Sequence, residues 1–204
     1  MKPLIVITSC HRDSGNRCND VARETWLSLW GNLVEHKFVM GRGGNAKDDE
    51  LVVDADDSYD YVPEKLKLAY QWVLDNGYDY VFQCDVDTYV AVPRLLESGF
   101  QGKDYIGNCY NYYAQGGAGY WLSARSVRAH VEDTTILPKW SDVWCGDVLR
   151  RAGIGLVHDD RYWPWGARSE DLKNIITVHL SKIGGGYDPS WMFWQHDRIL
   201  ESMR

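Results

Sequence analysis

The sequence predicts an α/β fold built on a mostly parallel central sheet. Apolar runs of strand length alternate with segments of helical spacing through the first half of the chain. At 204 residues, the chain is long enough for one domain with a sizeable core. Hydrophobic residues make up 45% of the chain and charged residues 25%, a balance typical of globular proteins and unlike that of disordered chains.

The first half is predicted to follow the order β-α-β-β-α-β, a Rossmann-like arrangement with helices packed on a sheet. A polar turn over 11–19 separates the first strand from the first helix. Pro63 begins the second helix, whose apolar side chains recur on one face, and Asn76-Gly77 ends it. The expected elements are strands at 4–9, 36–40, 50–54 and 80–84, and helices at 20–30 and 63–75.

The second half is less regular. A glycine-rich run at 116–119 precedes a short strand, and Asp188-Pro189 starts the last helix with a capping residue and a first-turn proline. The glycines at 184–186 predict a mobile loop, which is a candidate hinge for a lid. The remaining expected elements are strands at 120–122 and 175–179 and helices at 124–132 and 142–152.

Charge and cysteine usage limit the partners and the compartment. The formal net charge of −7 argues against a nucleic-acid partner, because nucleic-acid binders usually carry a basic face. No apolar run reaches the roughly 18 residues of a membrane span, and the first residues lack a signal-peptide pattern. Five cysteines without a CxxC pair favour reduced thiols over a disulfide framework or a zinc site. We therefore expect a soluble, cytoplasmic protein without a membrane span.

The sequence Asp85-Val86-Asp87 follows an apolar strand. Residues two apart in an extended chain point the same way, and the carboxyl ends of strands are where open α/β sheets bind ligands. Paired carboxylates there suit Mg²⁺ or Mn²⁺, with His179 at a later strand end as a third ligand. The alternatives are a solvated strand end for the aspartates and a loop-capping role for the histidine. Asp54-Ala55-Asp56 has the same spacing without such a strand before it.

Two further features have both a structural and a functional interpretation. The run 116–119 has no P-loop lysine, so its glycines indicate either the close approach of a ligand or of another backbone, or a plain turn. Asp142 and Asp147 flank the start of a helix, where a carboxylate is most often a cap but can also be a general base.

Together these segments resemble the GT-A glycosyltransferases, and more narrowly the β-1,3-glycosyltransferase superfamily that includes the Fringe proteins. The similarity is ordered along nearly the whole chain. In chain order the matching segments are Arg23-Glu24-Thr25-Trp26 (R-x-T-W), Phe38-Val39-Met40-Gly41 (second strand and glycine), Asp57-Ser58-Tyr59 with Lys65 (D-x-Y…K), residues 80–90 (strand and D-x-D), residues 116–123 (glycine-rich strand), residues 141–146 (E-D-V-x-x-G) and Val178-His179-Leu180 (late metal-ligand histidine).

The resemblance implies a single GT-A domain that transfers a sugar, with inversion, from a nucleotide sugar to a hydroxyl of a glycan or glycoprotein. The donor is expected to be a UDP-sugar. By resemblance, Asp85, Asp87 and His179 hold Mn²⁺ or Mg²⁺ on the diphosphate. Asp142 is the candidate base that takes the proton of the acceptor hydroxyl, with Asp147 in reserve.

The nucleotide is expected to contact Ser9, Arg12, Asp57 and Lys65, as well as Asp85. For Arg12 and Lys65 the alternative is a solvated charge. The resemblance divides the single domain of residues 1–204 into a nucleotide-sugar-binding half, 1–90, and an acceptor-binding half, 91–204.

The aromatic residues are biased toward rings that carry a polar group, with 10 Trp and 13 Tyr beside 4 Phe. Such rings pack in a core or line a surface that holds sugars. Most are expected to be core, whereas the loop pair Trp163 and Trp165 is expected to flank an acceptor glycan. Seven of the tryptophans lie in the acceptor half, at positions 121, 140, 144, 163, 165, 191 and 194.

The chain departs from the family pattern in ways that keep other functions open. Ser141 replaces the usual acid and Gln83 a common lysine, and the anchor, stem and disulfides of the Golgi members are not evident. In size the chain is similar to the GT-A domains with which large DNA viruses glycosylate their capsids, which would act in the host cytoplasm. One alternative is a non-catalytic carbohydrate-binding module, which the Trp-rich half fits. Another is a haloacid-dehalogenase-like phosphatase, although Tyr89 stands where that class has Thr or Val.

Overall fold

A seven-stranded, mostly parallel sheet lies at the centre of the protein. The structure, a computed structural model, describes residues 1–15, 17–44, 46–135, 137–181 and 187–204. The expected glycine hinge at 184–186 lies outside the described residues. Among the described residues, no helix is both long enough and apolar enough to cross a membrane.

The first half alternates strands and helices as predicted. Pro63 lies in the first turn of the long helix of this half, where its fixed φ suits helical backbone and its missing N–H costs nothing. In order the elements are strand β1 (Pro3–Thr8), helices α1 (His11–Gly15), α2 (Cys18–Glu24) and α3 (Trp26–Trp30), strands β2 (Glu35–Met40) and β3 (Glu50–Val52), helix α4 (Val62–Asp75) and strand β4 (Tyr80–Asp85).

The second half contains more elements than the sequence predicts. The helix expected at 124–132 is present with those bounds, and the Ser123 hydroxyl caps it by accepting from the Ser126 N–H. In order the elements are β5 (Thr88–Val90), α5 (Val92–Leu96), β6 (Tyr105–Gly107), β7 (Cys109–Tyr110), β8 (Tyr113–Ala114), β9 (Tyr120–Ser123), α6 (Ala124–Glu132), α7 (Ser141–Arg151), β10 (Val157–His158), β11 (Tyr162–Trp163), β12 (Thr177–His179) and α8 (Ser190–Ser202).

The order of strands in the main sheet is β10-β6-β9-β4-β1-β2-β3. Strand β1 pairs in parallel with β2 and β4, and β9 runs antiparallel between β4 and β6. A second sheet joins β11, β12 and β5, and β7 pairs with β8. The predicted mostly parallel α/β sheet is therefore confirmed. Its register places Thr8 beside Asp85 at the carboxyl ends of β1 and β4.

Each face of the main sheet carries its own apolar core, because successive side chains of a strand point to opposite faces. On β1, Ile5 and Ile7 pack on the face covered by α2, α3 and α8, while Leu4 and Val6 pack on the face covered by α4, α6 and α7. The fully buried tryptophans divide in the same way: Trp26 and Trp121 lie on the first face and Trp144 on the second.

The predicted helix over 20–30 is in fact two helices that meet at Thr25. The Thr25 hydroxyl donates to the Val21 carbonyl at 2.6 Å, and the Thr25 backbone leaves helical geometry at φ −106° and ψ −107°. A hydroxyl that bonds back to the preceding turn favours such a bend. The polar turn predicted over 11–19 is also partly helical, since it holds α1 and the start of α2.

The guanidinium of Arg23 ties α2 to β3. It donates to Asp20 at 2.8 Å, to Asp49 at 2.7 Å and to Glu50 at 2.9 Å. The pKa of Asp20 is lowered, first by a hydrogen bond from Lys47 and then by Arg23. Burial opposes ionisation of Asp49 and Glu50, but hydrogen bonds from Arg23 and from backbone N–H groups hold both pKa values below their ordinary range. The R-x-T-W segment therefore has a structural role.

Candidate active site

The Asp85-Val86-Asp87 segment lies where the two sheets meet. Asp85 is the last residue of β4. The next strand, β5, leaves the main sheet and pairs antiparallel with β12 in the second sheet. This pairing sets His179 opposite Thr88, and the Leu180 N–H donates to the Asp87 carbonyl at 2.9 Å. Residues that lie about 90 positions apart in the sequence are thereby held side by side.

Asp85, Asp87 and His179 each offer one ligand atom, and these atoms lie within 4.8 Å of one another. His179 Nε2 is 3.3 Å from Asp87 Oδ2, which also accepts a short hydrogen bond from the Ser181 hydroxyl. His179 Nδ1 lies 3.3 Å from the Pro164 carbonyl. An Nδ1–H donated to that carbonyl turns Nε2 toward Asp87, and Nε2 would bind a cation once its own proton is released.

The three titratable groups of this cluster shift one another's pKa values. Burial, and then the neighbouring charge of Asp87, raise the pKa of Asp85 to about 7. Burial also opposes ionisation of Asp87, but the hydrogen bond and charge of His179 keep the pKa of Asp87 below its ordinary value. The same contact outweighs burial and raises the pKa of His179 to about 9. Two carboxylates and one imidazole that crowd in this way fit a Mn²⁺ or Mg²⁺ ion, which would relieve the repulsion.

A glycine turn packs directly on this cluster. A Cβ on Gly117 would lie 2.5 Å from His179 Nδ1, so only glycine leaves room for the ring. The Gly117 carbonyl accepts from the Thr88 hydroxyl at 2.7 Å, and the Ala118 carbonyl accepts from the Thr177 hydroxyl at 2.6 Å. The glycines of the run 116–119 therefore permit a close approach, and the group that approaches Gly117 is the His179 side chain.

Asp142 lies on the other side of the same turn. Its Oδ2 is 3.4 Å from the Gly116 N–H and its Oδ1 accepts from the Val143 N–H at 2.8 Å. Its charge also contributes to the raised pKa of Asp85, after burial and the Asp87 charge. Asp147, the reserve candidate, pairs instead with Arg150 at 3.3 Å further along α7.

A cavity of about 1050 Å³ opens in front of the Asp85 and Asp87 carboxylates. Most of its described lining comes from the end of β1 with α1 and the start of α2, from residues 57–65 around the start of α4, and from residues 85–87 at the end of β4. The rest comes from Lys139, Ser141, Ser181, Tyr187 and Pro189. The predicted nucleotide contacts all line it, namely Ser9, Arg12, Asp57, Lys65 and Asp85.

Within the cavity wall these residues have different environments. The Asp57 carboxylate accepts from the backbone N–H groups of His11 at 2.6 Å and Gly41 at 2.7 Å. The Lys65 side chain is only 1% exposed, and its ammonium donates to the Ser9 carbonyl at 2.8 Å and to the Asp57 carbonyl at 3.3 Å. Both residues therefore brace the loops around the cavity. Arg12 is 80% exposed and is not a structural anchor.

Sequence reasoning did not single out Ser181, Lys139 or Tyr187 at this site. Ser181 bonds to Asp87, whereas Lys139 and Tyr187 line the cavity together with Tyr59 of the D-x-Y segment. Lys139 Nζ lies 2.8 Å from Asp60 and 5.9 Å from the centre of the Tyr59 ring. The position of Ser181 two residues after His179 is a signal, because alternate residues of an extended segment face the same side. The others come from loops with no recognisable spacing.

The predicted tryptophan pair is adjacent to the cluster. Trp163 is held in place because Arg168 stacks 3.9 Å from its ring centre and its indole N–H donates to the Gly166 carbonyl at 3.1 Å. Trp165 is 47% exposed. Pro164, between them, is the residue whose carbonyl lies next to His179.

Comparisons with known proteins support the fold. A glycosyltransferase involved in the glycosylation of the major capsid of PBCV-1 matches with a TM-score of 0.56 and 11% identity, over 98% of this chain and 99% of that one. The catalytic domain of Drosophila beta1,4galactosyltransferase 7, in complex with xylobiose, matches with a TM-score of 0.52 and 14% identity, over 97% and 81%. Neither a protein-family model nor a curated protein matches the sequence. The chain thus shares the fold of glycosyltransferase structures, as the resemblance implied.

Proposed function

We propose that this chain is a metal-dependent glycosyltransferase that moves a sugar from a UDP-sugar to a hydroxyl of a glycan or glycoprotein. One observation carries the proposal: Asp85, Asp87 and His179 cluster as candidate cation ligands, and the two aspartates line a cavity large enough for a nucleotide sugar. The shared fold supports it, because the matched structures are glycosyltransferases.

In this proposal Asp85, Asp87 and His179 hold Mn²⁺ or Mg²⁺. When bound, the cation neutralises charge that develops on the leaving diphosphate. The Ser181 hydroxyl and the Pro164 carbonyl orient Asp87 and His179. Because these contacts are made within the protein, the ligand atoms are already close together before a ligand arrives.

Asp142 is our candidate general base. As the acceptor oxygen bonds to the anomeric carbon, the bond from that carbon to the diphosphate oxygen breaks, and the hydroxyl proton passes to the Asp142 carboxylate. Attack from the side opposite the diphosphate inverts the anomeric centre. Among the described residues, Asp142 Oδ2 accepts a single long hydrogen bond, 3.4 Å from the Gly116 nitrogen, which leaves this oxygen able to accept the proton.

We also propose that the two halves bind different substrates, the donor in residues 1–90 and the acceptor in residues 91–204. Residues 1–90 supply most of the described lining of the cavity, which supports a nucleotide-sugar-binding role for them. Trp165 is exposed beside the cluster, which supports acceptor binding by residues 91–204. All five cysteines are free, which supports a reducing compartment such as the cytoplasm.

Release of UDP from a panel of UDP-sugars, with Mn²⁺ or EDTA and with candidate acceptors, tests the function. We expect Mn²⁺-dependent release with at least one donor, and NMR of the product should show an inverted anomeric linkage. Binding of sugar without UDP release would support the carbohydrate-binding module instead. Release of phosphate from a phosphate monoester would support the phosphatase.

A further inference from the structure

We infer that Tyr187 is a donor-binding residue whose hydroxyl donates a hydrogen bond to an oxygen of the donor's diphosphate. The inference rests on the proposed function. Tyr187 lines the same cavity as Asp87 and lies three residues before the first residue of α8. No sequence pattern points to it.

The position of Tyr187 is fixed by the docking of α8. Met192 and Ile199 of this helix are fully buried against the core of the first sheet face, and the Tyr187 ring packs against the same core. His196 Nδ1 lies 3.0 Å from the Tyr89 hydroxyl, which joins α8 to β5, the strand that follows Asp87. The ring is therefore held at the cavity wall by the same element that supports the cluster.

The hydroxyl of Tyr187 is buried yet has no hydrogen-bond partner among the described residues. Of the described side chains that line the cavity, it is the only one with such an atom. A buried polar group without a partner costs free energy, so a ligand oxygen that accepts from this hydroxyl at the cavity wall would recover that cost. The Ser190 N–H at the start of α8 does not offer the same opportunity, because it already donates to the Asp188 carboxylate at 2.9 Å.

The chemistry of the group selects its ligand. Burial, and then the charges of Cys18 and Asp87, raise the pKa of Tyr187, so the phenol stays neutral and can donate. Tyr187 lines the same cavity as Asp85 and Asp87, the space in which the proposed cation would hold the diphosphate. A phosphate oxygen is the strong acceptor that this position would meet.

The test compares wild type with Tyr187→Phe, which keeps the ring and removes the hydroxyl. UDP affinity with Mn²⁺ is measured by calorimetry, and uridine affinity with Mg²⁺ by ligand-observed NMR. We expect Tyr187→Phe to weaken UDP binding about tenfold or more, because hydrogen bonds to charged groups are strong, and to leave uridine binding unchanged. Tyr70→Phe, which removes a buried hydroxyl on the opposite sheet face, is the control and should bind both as wild type does.

Thermal unfolding without ligand separates binding from a structural role. Because the hydroxyl has no described partner, Tyr187→Phe should unfold at the wild-type temperature or above it. Unchanged UDP affinity in Tyr187→Phe would overturn the inference, as would equal losses of UDP and uridine affinity. If wild type itself binds no UDP, the proposed function fails and this inference fails with it. If wild type and Tyr187→Phe bind UDP with the same affinity, only the inference about Tyr187 is refuted, and the proposed function stands.

Discussion

Replacing Gly117 by alanine should disable the cation site from outside it. The added Cβ would lie 2.5 Å from His179 Nδ1, whereas ordinary contacts lie near 3.5 Å, so the ring must move by about 1 Å. The turn cannot yield easily, because the hydroxyls of Thr88 and Thr177 hold the carbonyls of Gly117 and Ala118. Metal–ligand distances tolerate only about 0.2 Å, and displaced supporting groups cost roughly 10–100-fold in metal affinity.

Calorimetric titration of Mn²⁺ in the presence of UDP measures this loss. Overpacking costs about 1–3 kcal/mol of unfolding free energy, so circular dichroism must first show that Gly117→Ala is folded. The matched control is Gly116→Ala, because its Cβ would lie an acceptable 3.4 Å from the Asp142 Cβ and does not approach His179. We expect wild-type Mn²⁺ affinity for the control. A folded Gly117→Ala protein with wild-type Mn²⁺ affinity, or equal losses in both variants, would refute the reasoning.

Three further predictions address the base, the acid stability and the acceptor. Asp142→Asn should lower kcat by about 10²–10⁴-fold while UDP-sugar affinity stays unchanged, and near-normal turnover would move the role to Asp147. Arg23→Gln should lower the unfolding free energy by about 2 kcal/mol at pH 6. This difference should shrink as pH falls below about 4, because the three carboxylates around Arg23 have depressed pKa values in the folded protein and lose their stabilising contribution on protonation. Denaturant titrations at pH 6 and pH 3 measure the difference in unfolding free energy between wild type and Arg23→Gln. An equal difference at the two pH values would contradict this prediction. Trp165→Ala should raise the acceptor KM about tenfold with an unchanged donor KM, whereas Trp194→Ala, 40% exposed on α8, should change neither.

The parts of the fold that are set by local pattern could be predicted from the sequence. Strand β1 is an apolar run, β4 is apolar apart from Gln83 and the final Asp85, and both are buried on both faces. Helix α4 combines a first-turn proline with one apolar face. The short strands β5 to β8 could not be found, because each has only two or three residues and exists through pairing with distant segments. The break at Thr25 depends on a single side-chain hydrogen bond.

The residues of the candidate site also differ in whether a local sequence pattern or a long-range contact reveals them. The spacing of Asp85 and Asp87 after an apolar strand is a local signal. The strand end at His179 and the helix start at Asp142 made these two residues candidates, and the resemblance implied their roles. The sequence does not show that Gly117 touches His179, because that contact depends on how the turn, β5 and β12 pack. Similarly, the sequence marks Asp57 and Lys65 only as candidate ligand contacts, whereas their hydrogen bonds to the backbone around the cavity are visible only in three dimensions.

Calorimetry of UDP binding with Mn²⁺ and with EDTA, on wild type and on Asp87→Ala, tests most directly whether these residues form a donor-binding metal site. The control is Asp54→Ala, from the Asp54-Ala55-Asp56 segment of identical spacing, where Asp54 is 91% exposed. We expect UDP to bind wild type and the control only when Mn²⁺ is present, and Asp87→Ala to bind it in neither condition. Mn²⁺-dependent UDP binding by Asp87→Ala with wild-type affinity would contradict the proposed metal site.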